Sequence, residues 1–113
     1  MIYLASPYSH PDPLIVRTRY LLTAQCTANL ILKGQFVWSP IVHSHAIAER
    51  HDLPTDAAWW AEWSKDFIRR CDGILVLKIP GWEESKGVIE ECRIARELNL
   101  PRGFVNEYGE DVL

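Results

Sequence analysis

The chain has 113 residues, 48% of them hydrophobic and 24% charged, which is enough for one domain with its own core and too apolar for a disordered segment. Its formal net charge is -3 with no basic run, so a polymeric nucleic acid is not expected as partner, while a single nucleotide, which needs only one or two cations or a helix N-terminus, stays open. No stretch reaches the roughly 18 apolar residues of a membrane helix, Met1 to Pro7 lacks the basic segment of an export signal, and the three cysteines, Cys26, Cys71 and Cys92, form no CxxC pair; buried thiols in the cytoplasm, without a membrane partner, are expected.

In chain order, Ile2 to Ala5 reads as a short strand ended by Pro7. Ser6 to Pro11 is a polar loop. Asp12-Pro13 starts a helix, with Asp as cap and Pro at the first helical position, and Gly34 stops it near Lys33. Gln35 to Trp38 is a second strand, ended by Ser39-Pro40. Ile41 to Arg50 is weakly helical. Pro54-Thr55-Asp56 reads as a turn and cap before a helix over 57–70 rich in tryptophan. Ile74 to Ile79 is an almost unbroken apolar run, the pattern of a strand covered on both faces. Pro80-Gly81 turns the chain, Ser85 or Gly87 opens a helix with Val88, Cys92, Ala95 and Leu98 on one face, and Gly103 to Val105 is a last short strand. This alternation predicts a single domain over 1–113: a three-layer α/β fold, flavodoxin- or Rossmann-like, with a mostly parallel sheet of four or five strands flanked by helices.

In such a sheet ligands bind beyond the carboxyl ends of the strands, where the loop after Ile79 falls. Glu91 lies four residues after Gly87 and four before Ala95, so a long acid sits between two small residues on one helical face. It reads either as a solvated glutamate or as an acid that a ligand approaches closely. Asp66 reads as a surface acid paired with Arg69 or Arg70, or as a second carboxylate. Ser85 caps its helix and, with Gly87, leaves a start that favours an anion. Tyr8, at the crevice side of the first loop, is placed to hand its hydroxyl to a carboxylate. Trp82 precedes the acidic helix, where its ring stacks on a base or lines a pocket. His43, His45 and His51 raise a metal reading, but His-x-His on a helix turns the rings about 200° apart, and no metal or other cofactor is expected. His43, near the second strand's end, remains a ligand contact.

Three stretches carry a family resemblance. Tyr3-Leu4-Ala5-Ser6-Pro7-Tyr8, then Asp66 followed by Asp72-Gly73 and the apolar strand, then Ser85-Lys86-Gly87-Val88-Ile89-Glu90-Glu91 with Ala95 beyond, resemble in order and spacing the nucleoside 2-deoxyribosyltransferase-like superfamily. It includes deoxyribosyltransferases and 2'-deoxynucleoside 5'-monophosphate N-hydrolases. The resemblance implies that Glu91 is the nucleophile at the anomeric carbon, that Asp66 assists the leaving base and that Tyr8 holds Glu91. It implies that Ser6 and Pro7, in the substrate loop, and Ser85 and Gly87 touch substrate. The transferases commonly carry aspartate at the position where this chain, like the hydrolases, has Ser85. The hydrolases' glycine- and arginine-rich first loop is replaced here by Ser6 to Pro11, with Arg17 and Arg19 further on. The expected activity is N-glycosidic cleavage of a deoxynucleoside 5'-monophosphate or related small nucleotide. Base exchange by a transferase and a non-catalytic nucleotide-binding module are the alternatives. Relatives often complete the pocket with a neighbouring subunit, so a homo-dimer or tetramer is expected. The Trp59–Trp63 face and the tail from Tyr108 to Leu113 are the candidate contacts.

Overall fold

A computed structural model describes residues 1–54 and 57–113, apart from the Ala57 side chain. The cap read at Thr55 and Asp56 therefore lies outside the described residues. The order is β1 (Ile2–Ala5), α1 (Pro13–Leu32), β2 (Val37–Trp38), α2 (Pro40–Arg50), α3 (Ala57–Ile68), β3 (Gly73–Leu77), α4 (Lys86–Glu97) and β4 (Arg102–Val105). The helix starts obey local chemistry. Asp12 accepts from the Leu14 amide, Ser39 from Val42 and Ser85 from Val88, with proline in the first turn of α1 and α2.

The four strands form one parallel sheet in the order β2-β1-β3-β4. Alternation along the strands divides the core. Tyr3, Ala5, Ile74 and Val76 face α3 and α4, where they meet Ile68, Val88, Ile94 and Ala95. Leu4, Leu77 and Val105 face α1, where they meet Cys26 and Leu30. Three layers result, with α1 on one face and the α3–α4 pair on the other. α2 packs on α1. The sheet is all parallel with four strands, the lower of the two expected counts. The tail folds back on β4 through a Val105–Asp111 bridge and a Val112 amide bond to the Phe104 carbonyl. No helix among the described residues is long and apolar enough to cross a membrane.

The β3–β4 register depends on a small residue at the start of β3. A Cβ on Gly73 would lie 3.1 Å from the Pro101 carbonyl oxygen, a backbone atom held by the Ile74 amide. Gly73→Ala is expected to cost about 1–3 kcal/mol, read as a lowered midpoint of denaturant unfolding with an unchanged slope.

Candidate functional site

β1 and β3 are neighbours, yet the chain leaves β1 for α1 on one face and β3 for α4 on the other. The two departures open a crevice between the loops, the switch point where open parallel sheets bind ligands.

Glu91 lies on the second turn of α4 with its side turned into the core; only 8% of the residue is exposed. The Tyr3 hydroxyl, from the middle of β1, donates a short hydrogen bond to Glu91 Oε2. Ser64 of α3, also buried, bonds the same tyrosine oxygen. Burial pushes the Glu91 carboxyl from 4.5 up to about 8, against the Tyr3 hydrogen bond, which favours the carboxylate. Burial, then the neighbouring Glu91, push the Tyr3 phenol well above its ordinary value. Oε1 points toward Gly87: a Cβ there would lie 3.9 Å from Oε1 and 3.8 Å from Ser85 Oγ. Gly87 thus keeps the approach to the acid open between the Ser85 cap and the carboxyl oxygen.

Trp38 pairs in register with Tyr3, so the two rings rise from the same face of the sheet. Trp38 stacks on Phe67 at 4.6 Å and leans on His43 at 4.8 Å, and Trp63 closes the group. The Trp38 indole nitrogen is buried without a partner. On the other side of the crevice Ser6 is buried with an unpartnered hydroxyl, and Pro7 beside it is fully buried. Arg19 of α1 reaches between the two loops. Its Nη1 donates to the Ser9 carbonyl at 2.8 Å, and its Nη2 lies where a Gly81 side chain would begin, 2.2 Å from that Cβ position. Gly81, at φ +92°, sits in the left-handed region that favours glycine. Arg19 has no acid partner among the described residues, and its Nε is buried without a bond.

Two sequence expectations need correction. Tyr8 does not hold Glu91: its hydroxyl lies 2.7 Å from His45 Nδ1, across a groove of about 520 Å³ between the first loop and α2. The strand explains this, since Tyr3 sits within β1 and faces α4, whereas Tyr8 lies beyond it and turns to α2. Asp66 does not join Glu91 as a second carboxylate. Ser64 and Ile68 are the inward positions of α3, and Asp66, between them, turns outward to Arg69 and Arg70, its side chain 54% exposed. Trp82 packs edge-on against Phe104, with Lys78 Nζ 5.1 Å from its ring centre, while Trp38 and Phe67 stack on each other against the cluster that contains Tyr3. His43 borders that surface, while His45 stacks on Tyr20 at 3.9 Å with its Nε2 2.9 Å from Glu49. Tyr3, Ser64 and Trp38 were not assigned roles from sequence, and Arg19 was named only with Arg17 as charge beyond the first loop. The signal for Tyr3 was its place in a wholly buried strand, where a hydroxyl must find a partner.

Fold and site define an open α/β domain with a buried acid at the switch point of a parallel sheet. Residues 1–107 match the family model described as "Domain of unknown function (DUF1937)", and the chain belongs to that family. A search of curated proteins returned no match.

The raised Glu91 carboxyl fixes a pH dependence of folding. Stability from its neutral form is fully present below the unfolded value of 4.5 and is lost as pH rises through about 8. The wild-type melting temperature should therefore fall across that window, and Glu91→Gln should flatten the fall. An equal slope in both proteins would assign the dependence to other groups.

Proposed function

We propose that the chain is an N-glycosidase that cleaves the N-glycosidic bond of a 2'-deoxynucleoside 5'-monophosphate or a related small nucleotide, with Glu91 as nucleophile. The observation that carries the reading is the Glu91 carboxyl, held at the switch point by Tyr3 with Gly87 keeping its second oxygen approachable. A buried acid that served only packing would be more stable as an apolar side chain. The resemblance of the three sequence stretches points the same way.

In this reading the ionised Glu91 attacks the anomeric carbon as the bond to the base breaks. It stabilises the oxocarbenium-like charge and forms a glycosyl ester. Tyr3 holds the carboxylate in place and donates the bond that favours its charged form, while Ser64 bonds the Tyr3 oxygen. The departing base takes a proton from solvent, because Asp66 is committed to Arg69 and Arg70. Water then attacks the anomeric carbon as its bond to the Glu91 oxygen breaks, loses a proton to solvent, and leaves the sugar hemiacetal and the free Glu91 carboxylate. Trp38 and Phe67 offer a surface for the base. Arg19, a half-buried cation with no acid of its own, and the Ser85–Gly87 helix start supply attraction for a 5'-phosphate. The enzyme needs no metal or organic cofactor in this mechanism.

Chromatography of reactions with each deoxynucleoside 5'-monophosphate should show free base. Glu91→Gln should lower the rate by about three orders of magnitude or more while the fold is kept. Unchanged release would remove Glu91 from the mechanism. Base exchange outrunning hydrolysis would make the protein a transferase, and saturable binding without product would make it a binding module.

Two further outcomes follow from the same geometry. The rate should rise with pH as Glu91 ionises, with a limb near its raised value of about 8. Arg19→Gln should raise KM for the monophosphate about tenfold and leave the unphosphorylated nucleoside unaffected; an equal effect on both would make Arg19 a strap between the loops only.

A further inference from the structure

The groove between the first loop and α2 stands apart from the Glu91 crevice. Its lining comes from the first loop, α1 and α2, with nothing from α3, β3 or α4 among the described residues. Arg19 of α1 turns to the Gly81 loop, whereas Arg17, about 200° round the helix, lines the groove. At about 520 Å³ the groove has the size of a small-molecule site. Pro13, Leu14, Val16 and Ala48 supply apolar wall, Leu14 being 72% exposed.

His45 is the buried polar group of the groove, 6% exposed. Its ring is held by the stack on Tyr20 and by the Tyr8 hydroxyl at Nδ1. Burial, then the Glu49 charge, push the Tyr8 phenol up, so Tyr8 keeps its proton and donates the hydrogen bond. With Nδ1 accepting, the ring proton lies on Nε2. That buried N–H makes no hydrogen bond among the described residues, although Glu49 Oε1 lies 2.9 Å away. A buried donor in this state calls for an acceptor. His10 is wired in the same sense: its Nδ1 accepts the Asp12 amide at 2.9 Å, which leaves the proton on Nε2. The Asp12 carboxylate is engaged by the Leu14 amide, and Arg17 has no acid partner among the described residues. Three side chains thus offer N–H donors to the groove against one carboxylate, Glu49.

We propose that this groove is a second ligand site, which takes a small organic anion, a carboxylate or phosphate monoester on an apolar body, with its oxygens on His45 Nε2 and Arg17. Glu49 holds the anion's place until it arrives. The Glu49 carboxylate stands beside the buried donor without bonding it, and its side chain is 55% exposed, so it can turn to solvent when a better-placed oxygen enters. Charge selects the occupant: an anion answers the free guanidinium and the unspent imidazole N–H together, whereas a cation would meet Arg17 and a neutral ligand would leave it unused. The apolar body covers the Pro13, Leu14 and Ala48 wall. The site does not depend on cleavage at Glu91.

Imidazole proton–nitrogen NMR spectra of the full chain, titrated with phenyl phosphate, phenylacetate and the neutral control 2-phenylethanol, test this. At least one anion should shift the His45 Nε2 resonance saturably, and the alcohol should bind about tenfold more weakly or worse. A response to phenyl phosphate alone assigns a phosphate monoester, and a response to phenylacetate alone a carboxylate. Arg17→Gln should raise the dissociation constant about tenfold. Glu49→Gln, which removes the competing charge at an exposed position, should lower it about threefold or more. Arg19→Gln should leave it unchanged. The proposal is overturned if neither anion shifts His45, if the alcohol binds as well as the anions, or if Glu49→Gln does not tighten binding. It is also overturned by a loss on Arg19→Gln that Arg17→Gln does not produce, which would place the anion in the Glu91 crevice.

Discussion

The hydrogen bond from Tyr3 to Glu91 is the constraint around which the rest of the structure is arranged. A carboxyl in an apolar cluster costs free energy unless a donor meets it, and a phenol in a fully covered strand costs it unless an acceptor does. Each group answers the other, across elements 88 residues apart in sequence. The bond ties β1 to α4 and, through Ser64, to α3, so the inner layer on that face is fixed by a polar contact as well as by packing. Small residues flank it, Gly87 on one side and Ala95 on the other. The carboxyl therefore sits in a frame of small neighbours, with its second oxygen turned toward Gly87.

Most of the architecture was legible in the sequence because its punctuation is local. Asp12-Pro13, Ser39-Pro40 and Ser85 mark helix starts through their own hydrogen bonds, and the unbroken run from Ile74 marks a strand buried on both sides. The element order follows from these signals alone. Glu91 was legible too, since Gly87 and Ala95 at helical spacing show an acid with room around it. What escaped was long-range. Tyr3 and Tyr8 look equivalent in a string, and only the end of β1 at Ala5 separates a strand tyrosine facing α4 from a loop tyrosine facing α2. Asp66 stood beside Phe67 and Ile68, but the helix turns it about 200° from Ser64, and the arginines at 69 and 70 take it. Trp38 was hidden in a strand of two residues whose partner, Tyr3, is set by sheet register.

The switch point is electrically divided. A buried acid lies on the α4 side, and on the α1 side a half-buried guanidinium bridges the loops after β1 and β3 with no acid partner among the described residues. Arg19 and Glu91 are not paired with each other: the acid is met by Tyr3 and the cation by a carbonyl. A protein that needed only stability would bring opposite charges together or remove both. Keeping them separately satisfied, on opposite sides of the switch point, leaves an acid and a cation unpaired with each other, the arrangement that the proposed nucleotide cleavage would use.

The sheet edges bear on how the chain meets its neighbours. A parallel sheet of four strands has two open edges, each a template for unwanted pairing. β2 is only two residues long, and β4 is covered by the returning tail, whose Val112 amide bonds the Phe104 carbonyl. Both edges are thus blunted by backbone geometry. The large apolar surface that remains on α1 is a helix face, with all its backbone groups already bonded within the helix. Contact through side chains on such a face is saturable and depends on register, whereas pairing along a strand edge is open-ended.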